Sequence, residues 1–261
     1  MQCICALSLA GFLLGGAASG QDTPKPMKVF ILAGQSNIVG VAPSKDLPEE
    51  YRKPPSNVRI FKARKWQSVE ATEATFGPEI SFAHAISEAW PAEEVGIIKV
   101  AFNGSSLLDW DPDWTEEKAA ITKKKGGPLY KKFIEAFERA RKDRPFEVVG
   151  MLWGQGGRDA RFKEAAEQRA ANLERFIVRL RQDLKVPDLP FLYPRSSKVY
   201  SEYPYMDAVR KGNEEVARKL AGVTLFDGDG LSYLKDDVHL DAAGQVEYGR
   251  RFARAFLDLK R

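Results

Sequence analysis

The chain has 261 residues and a formal net charge of +4, with 44% hydrophobic and 29% charged residues. This length and composition are typical of one globular domain with a full core. The charge is nearly balanced, and the densest basic run, Lys123–Lys125, has no interleaved aromatic residues. These features argue against a nucleic-acid partner.

Residues 1–20 carry no side-chain charge, have an apolar centre and end in small residues. The pattern predicts a secretory signal peptide cleaved near Gly20-Gln21, so we expect a secreted or periplasmic protein without stable membrane insertion after its removal. No Lys or Arg lies near its start, and a retained anchor is therefore the alternative interpretation. Both cysteines, Cys3 and Cys5, fall in this leader. We expect residues 21–261 to form a single domain without disulfides or cysteine-ligated metals.

Apolar runs typical of strands alternate along the chain with amphipathic stretches typical of helices. Strands are predicted at Val29–Leu32, Val58–Phe61, Glu94–Phe102, Phe146–Trp153, Leu189–Pro194 and Val223–Asp227. Helices are predicted at Glu79–Trp90, Leu129–Lys142, Glu164–Leu184, Met206–Ala221 and from about Ala242 to Leu259, and a long loop at Asp109–Gly127. Strands separated by single helices indicate parallel pairing and right-handed crossovers. The sequence therefore predicts an α/β fold with helices on both faces of a mainly parallel sheet.

Glycine, amide and hydroxyl residues follow three of the predicted strands. The segments are Gly34-Gln35-Ser36-Asn37, Asn103-Gly104-Ser105-Ser106 and Gly154-Gln155-Gly156-Gly157. Ligands of open α/β sheets bind at the carboxyl ends of the strands. We therefore expect these three segments to meet at one edge of the sheet.

The chain has only two histidines, which restricts the choice of a catalytic base. His84 lies inside a predicted helix and is interpreted as packed on its face. His239 follows Asp236 by three residues, and a carboxylate in that position can hold one ring nitrogen and leave the other as a base. Ser36 requires such a base to act as a nucleophile. A turn serine and a loop histidine are the alternative interpretation.

Other groups at the strand ends suit stabilisation of a negative charge. A helix beginning after Asn37 would direct its N-terminal amides towards Ser36. The Gly104 amide and the Gln155 side chain are candidate oxyanion donors, with purely structural roles as the alternative. The two histidines are far apart in the sequence, and neither an H-E-x-x-H motif nor a phosphate-binding glycine-rich loop is present. We therefore expect no metal and no other cofactor.

Five segments, in this order, resemble the sequence blocks of the sialate O-acetylesterase domain family, which are SGNH-type hydrolases similar to carbohydrate esterase family 6. They are GQSNIVG (Gly34–Gly40), FGPEISFAHAI (Phe76–Ile86), VAFNGSSLLDW (Val100–Trp110), WGQGGRDA (Trp153–Ala160) and DDVHLDAAGQVEYGRRFA (Asp236–Ala253). The resemblance implies a three-layer α/β/α sandwich of the flavodoxin-like kind. It also implies hydrolysis of acetyl esters on carbohydrates through an acyl-serine intermediate, without metal or cofactor.

Position by position, the resemblance implies Ser36 as nucleophile, His239 as base and Asp236 as the acid that orients it. It also implies an oxyanion hole formed by the Ser36 and Gly104 amides and by Gln155. The predicted substrate contacts are Gln35, Asn37, Asn103, Ser105 and Arg158, with Arg158 alternatively facing solvent. Trp110, Trp153 and Tyr193 are interpreted as core residues, with a sugar-stacking platform as the alternative.

One position departs from the family pattern, because Gly157 stands where the family usually has glutamate. Three hypotheses for function follow. The first is a secreted carbohydrate O-acetylesterase, and the second is a short-chain esterase without preference for sugars. The third is a catalytically weakened carbohydrate-binding protein of the same fold. Nothing in the sequence indicates an oligomeric state.

Overall fold

The computed structural model describes residues 25–123, 126–195, 197–198 and 201–259. The predicted signal peptide, with Cys3, Cys5 and the expected cleavage site, lies outside these ranges. Among the residues described, no helix has the length and apolar character needed to cross a membrane.

The described ranges contain nine strands and eight α-helices. The strands are β1 (Met27–Gly34), β2 (Ala42–Pro43), β3 (Val58–Lys62), β4 (Lys65–Ser68), β5 (Thr75–Phe76), β6 (Val95–Ala101), β7 (Phe146–Gly154), β8 (Phe191–Arg195) and β9 (Val223–Asp227). The helices are α1 (Ser36–Val39), α2 (Glu79–Ala89), α3 (Glu116–Ile121), α4 (Leu129–Asp143), α5 (Lys163–Glu167), α6 (Arg169–Leu184), α7 (Met206–Lys219) and α8 (Ala242–Asp258).

Seven strands form the central sheet in the order β4-β3-β6-β1-β7-β8-β9. Every neighbouring pair is parallel except β3 and β4, which form an antiparallel hairpin. β2 and β5 pair separately as a short antiparallel ribbon. The parallel order places the carboxyl ends of β1, β6 and β7 side by side, as the sequence predicted.

Helices cover both faces of the sheet. Because successive side chains of a strand point to opposite faces, neighbouring residues of β1 enter different cores. In β1, Val29 and Ile31 pack into one core together with side chains of α4, α6 and α7. Phe30 and Leu32 pack into the opposite core, which α2 and α8 cover. This arrangement confirms the predicted three-layer α/β/α sandwich. Trp110, Trp153 and Tyr193 are buried in the first core, so the interpretation of these aromatic residues as core is confirmed.

The predicted strands and the other helices are confirmed, with ends that differ by at most two residues. The predicted helix Glu164–Leu184 is instead two helices, because the chain leaves helical geometry at Gln168 (φ −84°, ψ 3°). The predicted loop Asp109–Gly127 is also wrong. It contains the end of a 3₁₀ turn and the helix α3, whose first turn is capped by the side chain of Thr115.

Candidate active site

Ser36 is the first residue of α1, and only Gln35 separates it from the end of β1. At Gly34, φ is 146° and a Cβ atom would lie 2.2 Å from the carbonyl oxygen of Gly154, so the close approach of β1 to β7 requires glycine. The Gln35 N–H donates to that same oxygen at 2.9 Å and fixes the turn. The helix expected after Asn37 is only this single turn, which begins at Ser36 itself.

Asp236 and His239 interact closely in the loop that precedes α8. His239 Nδ1 lies 2.6 Å from Asp236 Oδ2, while Asp236 Oδ1 accepts the N–H groups of Val238 and His239 at 3.0 and 2.9 Å. Partial burial acts to raise the pKa of Asp236, but the hydrogen bonds from His239 and Val238 outweigh it and lower the pKa to about 2. An ionised Asp236 therefore binds Nδ1 and orients the imidazole. The other ring nitrogen, Nε2, is left to act as the base.

The nucleophile turn and the histidine loop are joined by the side chain of Asn37. Its Nδ2 donates to the Val238 carbonyl oxygen at 3.2 Å, and its Oδ1 accepts the Leu240 N–H at 3.0 Å. Both functional groups of the amide thus bind the backbone on either side of His239. We predicted Asn37 as a substrate contact, and these two hydrogen bonds assign its amide to the loop instead.

Ser36 and His239 line one cavity of about 520 Å³, to which Asp236 also contributes. Among the described residues, no hydrogen bond joins the Ser36 hydroxyl to the imidazole. Such contacts are often long in unliganded enzymes and shorten when the substrate binds. The remaining polar lining comes from Gln35, Asn103, Gly104, Arg158, Arg161, Glu202 and Tyr203. The predicted contacts Gln35 and Asn103 therefore do line the cavity.

Gly104 presents its backbone at the mouth of this cavity, just after β6. Its φ is 63°, a left-handed conformation that favours glycine, and both Asn103 and Gly104 are exposed. Within the described residues, its N–H makes no hydrogen bond, and the same holds for the N–H of Ser36. These two backbone N–H groups are therefore free to donate to a negatively charged oxygen.

The amide of Gln155, which we predicted as the third donor, is bound by other groups of the protein. Its Nε2 donates to the Ser105 carbonyl oxygen at 3.0 Å and also to the Asp159 carboxylate. Its Oε1 accepts from Arg169 Nη1 at 2.5 Å, so the whole amide is engaged. Gln155 lines a neighbouring cavity of about 150 Å³, which shares Gln35 with the Ser36 cavity, and is not among the residues that line the Ser36 cavity.

Two buried charges explain why Gln155 is held in this way. Arg169 and Asp159 are both fully buried, with 3.6 Å between Nη1 and Oδ2. Burial raises the pKa of Asp159, and the charge of Arg169 and the hydrogen bond from Gln155 oppose that increase. The amide of Gln155 satisfies both ions, so its surroundings indicate a structural role.

Two other predicted substrate contacts also have structural partners. Ser105 is 1% exposed, and its hydroxyl accepts from the Trp110 indole at 3.2 Å, so the structure does not support a substrate contact. Arg158 lines the cavity, but its guanidinium donates to the carbonyl oxygens of Thr122 and Lys123 at the end of α3. Arg158 is therefore not simply directed to solvent. Its guanidinium is bound to the backbone and is not free to bind a substrate.

Gly157 lies against the ring of Tyr203, which lines the Ser36 cavity. A Cβ atom at Gly157 would lie 3.2 Å from two ring carbons of Tyr203 and 3.3 Å from Gln35 Nε2. Arg161 stacks on the same ring at 5.2 Å and forms an ion pair with Glu202. Tyr203 thus occupies the space beside Gly157 that a longer side chain would require.

Lys99 and Glu79 also belong to this region, although neither residue was predicted from the sequence. Lys99 Nζ lies 2.6 Å from Glu79 Oε2 and donates to the carbonyl oxygen of Val39, the last residue of α1, at 2.8 Å. The pair therefore fixes the far end of the turn that begins with Ser36. A lysine inside the apolar strand segment GIIKVAF was the available signal, because an unpaired charge is costly to bury. In the part of the chain that is described, no group of three or more His, Cys, Asp or Glu residues could hold a metal ion.

The chain is similar to carbohydrate esterases over nearly all of its length. A family model described as carbohydrate esterase, sialic acid-specific acetylesterase matches residues 26–258. A probable carbohydrate esterase from Arabidopsis thaliana is 28% identical over 274 residues, covering 93% of this chain and 97% of that protein. The solved structure of the Arabidopsis protein superimposes with a TM-score of 0.74 at 27% identity, covering 89% of this chain and 98% of its own.

Two more distant structures share the fold. A carbohydrate acetylesterase from Xanthomonas citri has a TM-score of 0.64 at 19% identity, covering 87% of this chain and 55% of that one. NanS has a TM-score of 0.68 at 17% identity, covering 91% of this chain and 99% of that one. At these identities the likeness concerns the fold alone.

Proposed function

This chain belongs to the carbohydrate esterase, sialic acid-specific acetylesterase family, and we propose that it hydrolyses acetyl esters on glycans through an acyl-enzyme formed on Ser36. The observation that carries this proposal is the pairing of His239 with Asp236 at 2.6 Å on the wall of the cavity that Ser36 also lines. A nucleophile, a base and a group that orients the base are the parts required for acyl transfer by a serine enzyme.

In the first proposed step, Ser36 Oγ attacks the carbonyl carbon of the acetyl group and His239 Nε2 accepts the hydroxyl proton. The carboxylate of Asp236 stabilises the imidazolium that forms. Because the pKa of Asp236 is about 2, this carboxylate is ionised at any pH at which the protein would normally act.

The negative charge then develops on the former carbonyl oxygen. We assign its stabilisation to the N–H groups of Ser36 and Gly104, since the amide of Gln155 is engaged by Ser105, Asp159 and Arg169. Collapse of the tetrahedral intermediate breaks the ester C–O bond. His239 returns its proton to the departing sugar oxygen, which leaves as a hydroxyl, and the acetyl group stays on Ser36.

Water completes the reaction. It attacks the acetyl carbon while His239 accepts one of its protons, and collapse of the second intermediate releases acetate. The proton on His239 returns to Ser36 Oγ, which restores the starting state. These steps use the three side chains, the two backbone donors and water.

Covalent labelling tests the identity of the nucleophile. An organophosphate should label Ser36, located by mass spectrometry, and Ser36→Ala should remove both the label and the hydrolysis of 4-nitrophenyl acetate. Ser87→Ala, on α2, is the control, because its hydroxyl binds Asn57 rather than any residue of the cavity. Equal hydrolysis by the wild type and Ser36→Ala would reject the serine mechanism.

The other hypotheses give different results in the same assays. A weakened carbohydrate-binding protein would bind glycans but turn over no acetyl ester. A general short-chain esterase would cleave 4-nitrophenyl acetate and acetylated sugars with similar kcat/KM. The proposed carbohydrate esterase should favour the acetylated sugars.

We also propose that the chain is secreted and that residues 21–261 act as one domain. The proposal is supported by the apolar, uncharged leader of residues 1–20. Expression in a host with a secretory pathway, followed by mass determination of the exported protein, tests it. We expect a mass that corresponds to a chain beginning at Gln21. A full-length chain, whether exported or membrane-bound, would contradict the proposal.

A further inference from the structure

A second cavity, here called the side cleft, adjoins the Ser36 cavity. Its volume is about 510 Å³, and it lies between the β3–β4 hairpin and the α1 turn. We propose that the side cleft is a binding site for an uncharged sugar unit next to the acetylated one, so that the substrate is an acetylated oligosaccharide rather than a single sugar. This inference rests on the proposed esterase function.

The position of the side cleft follows from two chain segments that pass from one cavity to the other. Val39 lines the side cleft, and Val41, two residues later, lines the Ser36 cavity. After β6, Ala101 lines the side cleft, and Asn103 lines the Ser36 cavity. Since each of these two short segments lines both cavities with residues two positions apart, a linear glycan in the Ser36 cavity can extend towards the side cleft.

The lining of the side cleft suits a sugar. Lys62, Gln67, Ser68 and Glu70 supply ammonium, amide, hydroxyl and carboxylate groups, all of them exposed or half-buried. Amide and hydroxyl side chains can both donate and accept hydrogen bonds, as sugar hydroxyls do. The Gln67 amide makes one long bond of 3.4 Å to the carbonyl oxygen of Lys62, which a ligand can replace at little cost.

The charges of the side cleft favour an uncharged ligand. Lys99 and Glu79 form an ion pair at 2.6 Å, so their charges cancel. The two exposed charges, on Lys62 and Glu70, are also of opposite sign. No excess positive charge is left to bind a carboxylate or sulfate, and no excess negative charge to bind an amine.

One wall of the side cleft is also part of the nucleophile's support. Lys99 donates to the carbonyl oxygen of Val39 at 2.8 Å, and Val39 ends the turn that begins at Ser36. A sugar in the side cleft would therefore lie against a wall fixed relative to Ser36. Such a wall can orient the rest of the glycan for attack at one acetyl group.

A ladder of substrates tests the proposal. Chemically monoacetylated glucose, cellobiose, cellotriose and cellotetraose serve as uncharged probes, and the same ladder oxidised to uronic acids serves as the charged one. We expect kcat/KM to rise by about tenfold from one sugar unit to two or three in the uncharged ladder. The charged ladder should show a smaller increase.

Variants assign the increase to the side cleft. Gln67→Ala and Glu70→Ala should abolish the gain with chain length while the rate on 4-nitrophenyl acetate, which is too small to reach the side cleft, persists. Gln182→Ala is the matched control, since this exposed glutamine lies at the opposite end of the sheet, near the end of α6. It should retain the full gain with length.

The outcomes separate this proposal from the proposed catalytic function. If Ser36 is not the nucleophile, calorimetric titration of the intact chain with unacetylated cellotetraose still reports binding, and Gln67→Ala should weaken it. The proposal is overturned if kcat/KM does not depend on chain length. It is equally overturned if the increase, or the heat of cellotetraose binding, survives unchanged in both Gln67→Ala and Glu70→Ala.

Discussion

Asn37 accepts a hydrogen bond from the backbone N–H of Leu240 at 3.0 Å, although the two residues are 203 positions apart in the chain. The same side chain donates to the Val238 carbonyl oxygen at 3.2 Å. Since Ser36 precedes Asn37 and His239 lies between Val238 and Leu240, one amide sets the distance between nucleophile and base.

Replacing this amide should affect the rate more than substrate binding. We expect Asn37→Ala to lower kcat by about 10–100-fold, because small displacements of reacting groups are costly in rate. KM should change little, and Asn37→Asp, which keeps the acceptor for Leu240, should recover part of kcat. Steady-state kinetics on 4-nitrophenyl acetate and thermal melting measure these effects.

Asn57 offers a matched control. Its Nδ2 joins the carbonyl oxygens of Trp90 and Glu93 at 3.0 and 2.9 Å, but before β3 and β6 rather than after them, and so at the opposite end of the sheet. Asn57→Ala should lower the melting temperature without lowering kcat. A similar loss of kcat in the two alanine variants would mean that Asn37 acts through general stability alone.

Lys99 supports the other end of the nucleophile turn. Lys99→Met would leave the Glu79 carboxylate buried without its partner and free the carbonyl oxygen of Val39, so we expect a loss of about 3 kcal/mol in the free energy of unfolding. The rate of organophosphate labelling at Ser36 should also fall, and Lys99→Arg should recover part of it.

A second ion pair beside the same strand serves as the control, because its loss should lower stability without affecting the labelling of Ser36. Arg144 pairs with Glu94 just before β6, and both side chains are more than a third exposed. Arg144→Met should cost at most about 1 kcal/mol and leave the labelling rate unchanged. If Lys99→Met labelled Ser36 as fast as the wild type, its role in holding the turn would be rejected.

The alternation of apolar runs sufficed to predict the parallel sheet, but the β3–β4 hairpin was missed. Its turn residues, Ala63 and Arg64, both have positive φ values of 50° and 64°. Such turns are normally signalled by Asn-Gly or Asp-Gly. Because this sequence uses neither, no local pattern indicated the antiparallel strand β4.

The candidate site was predicted where its chemistry is local in sequence. Asp236 and His239 are three residues apart, so their contact could be expected from spacing. The engagement of Gln155 could not, because it depends on the ion pair between the nearby Asp159 and Arg169, and only the packing of α6 brings Arg169 to the end of β7. The two hydrogen bonds of the Asn37 side chain likewise require Asn37 to lie beside Val238 and Leu240, which are about 200 positions away in the sequence.

The depressed pKa of Asp236 predicts a specific dependence of stability on pH. Its pKa is about 2 in the folded protein and 3.8 without the fold. The ionised carboxylate therefore contributes to stability above about pH 4, and that contribution is lost as the pH falls towards 2. Urea unfolding of wild type and Asp236→Asn between pH 2 and 6 should show a difference that is constant above about pH 5 and shrinks below pH 4.

The same substitution tests the role of Asp236 in orienting the imidazole. We expect Asp236→Asn to lower kcat by about 10³–10⁴-fold at neutral pH, since an amide cannot stabilise the imidazolium. Asp237→Asn is the control, because the neighbouring Asp237 pairs with Lys198 and has a φ of 58° that asparagine tolerates. Comparable losses in the two variants would remove the specific role of Asp236.

Gly157 is predicted to be coupled to Tyr203. A Cβ atom at this position meets the ring at 3.2 Å, closer than ordinary contact, so Gly157→Ala should destabilise the fold slightly and Gly157→Glu more. Combining Gly157→Glu with Tyr203→Ala should recover part of the loss, with a coupling energy above about 0.5 kcal/mol. Additive effects in the cycle would show that Tyr203 does not limit the side chain at position 157.

Because the Gln155 amide is bound by other groups, its loss should lower stability more than kcat, unlike the loss of an oxyanion donor. Loss of such a donor costs about 10²–10³-fold in kcat with little change in stability. Gln155→Ala removes hydrogen bonds from the buried Arg169 and Asp159 instead, so we expect a loss of about 2–3 kcal/mol in the free energy of unfolding. In the folded enzyme kcat should fall by less than about tenfold, measured below the melting transition, because the Ser36 and Gly104 amides still bind the oxyanion. A large loss of kcat with unchanged stability would instead return Gln155 to the oxyanion hole.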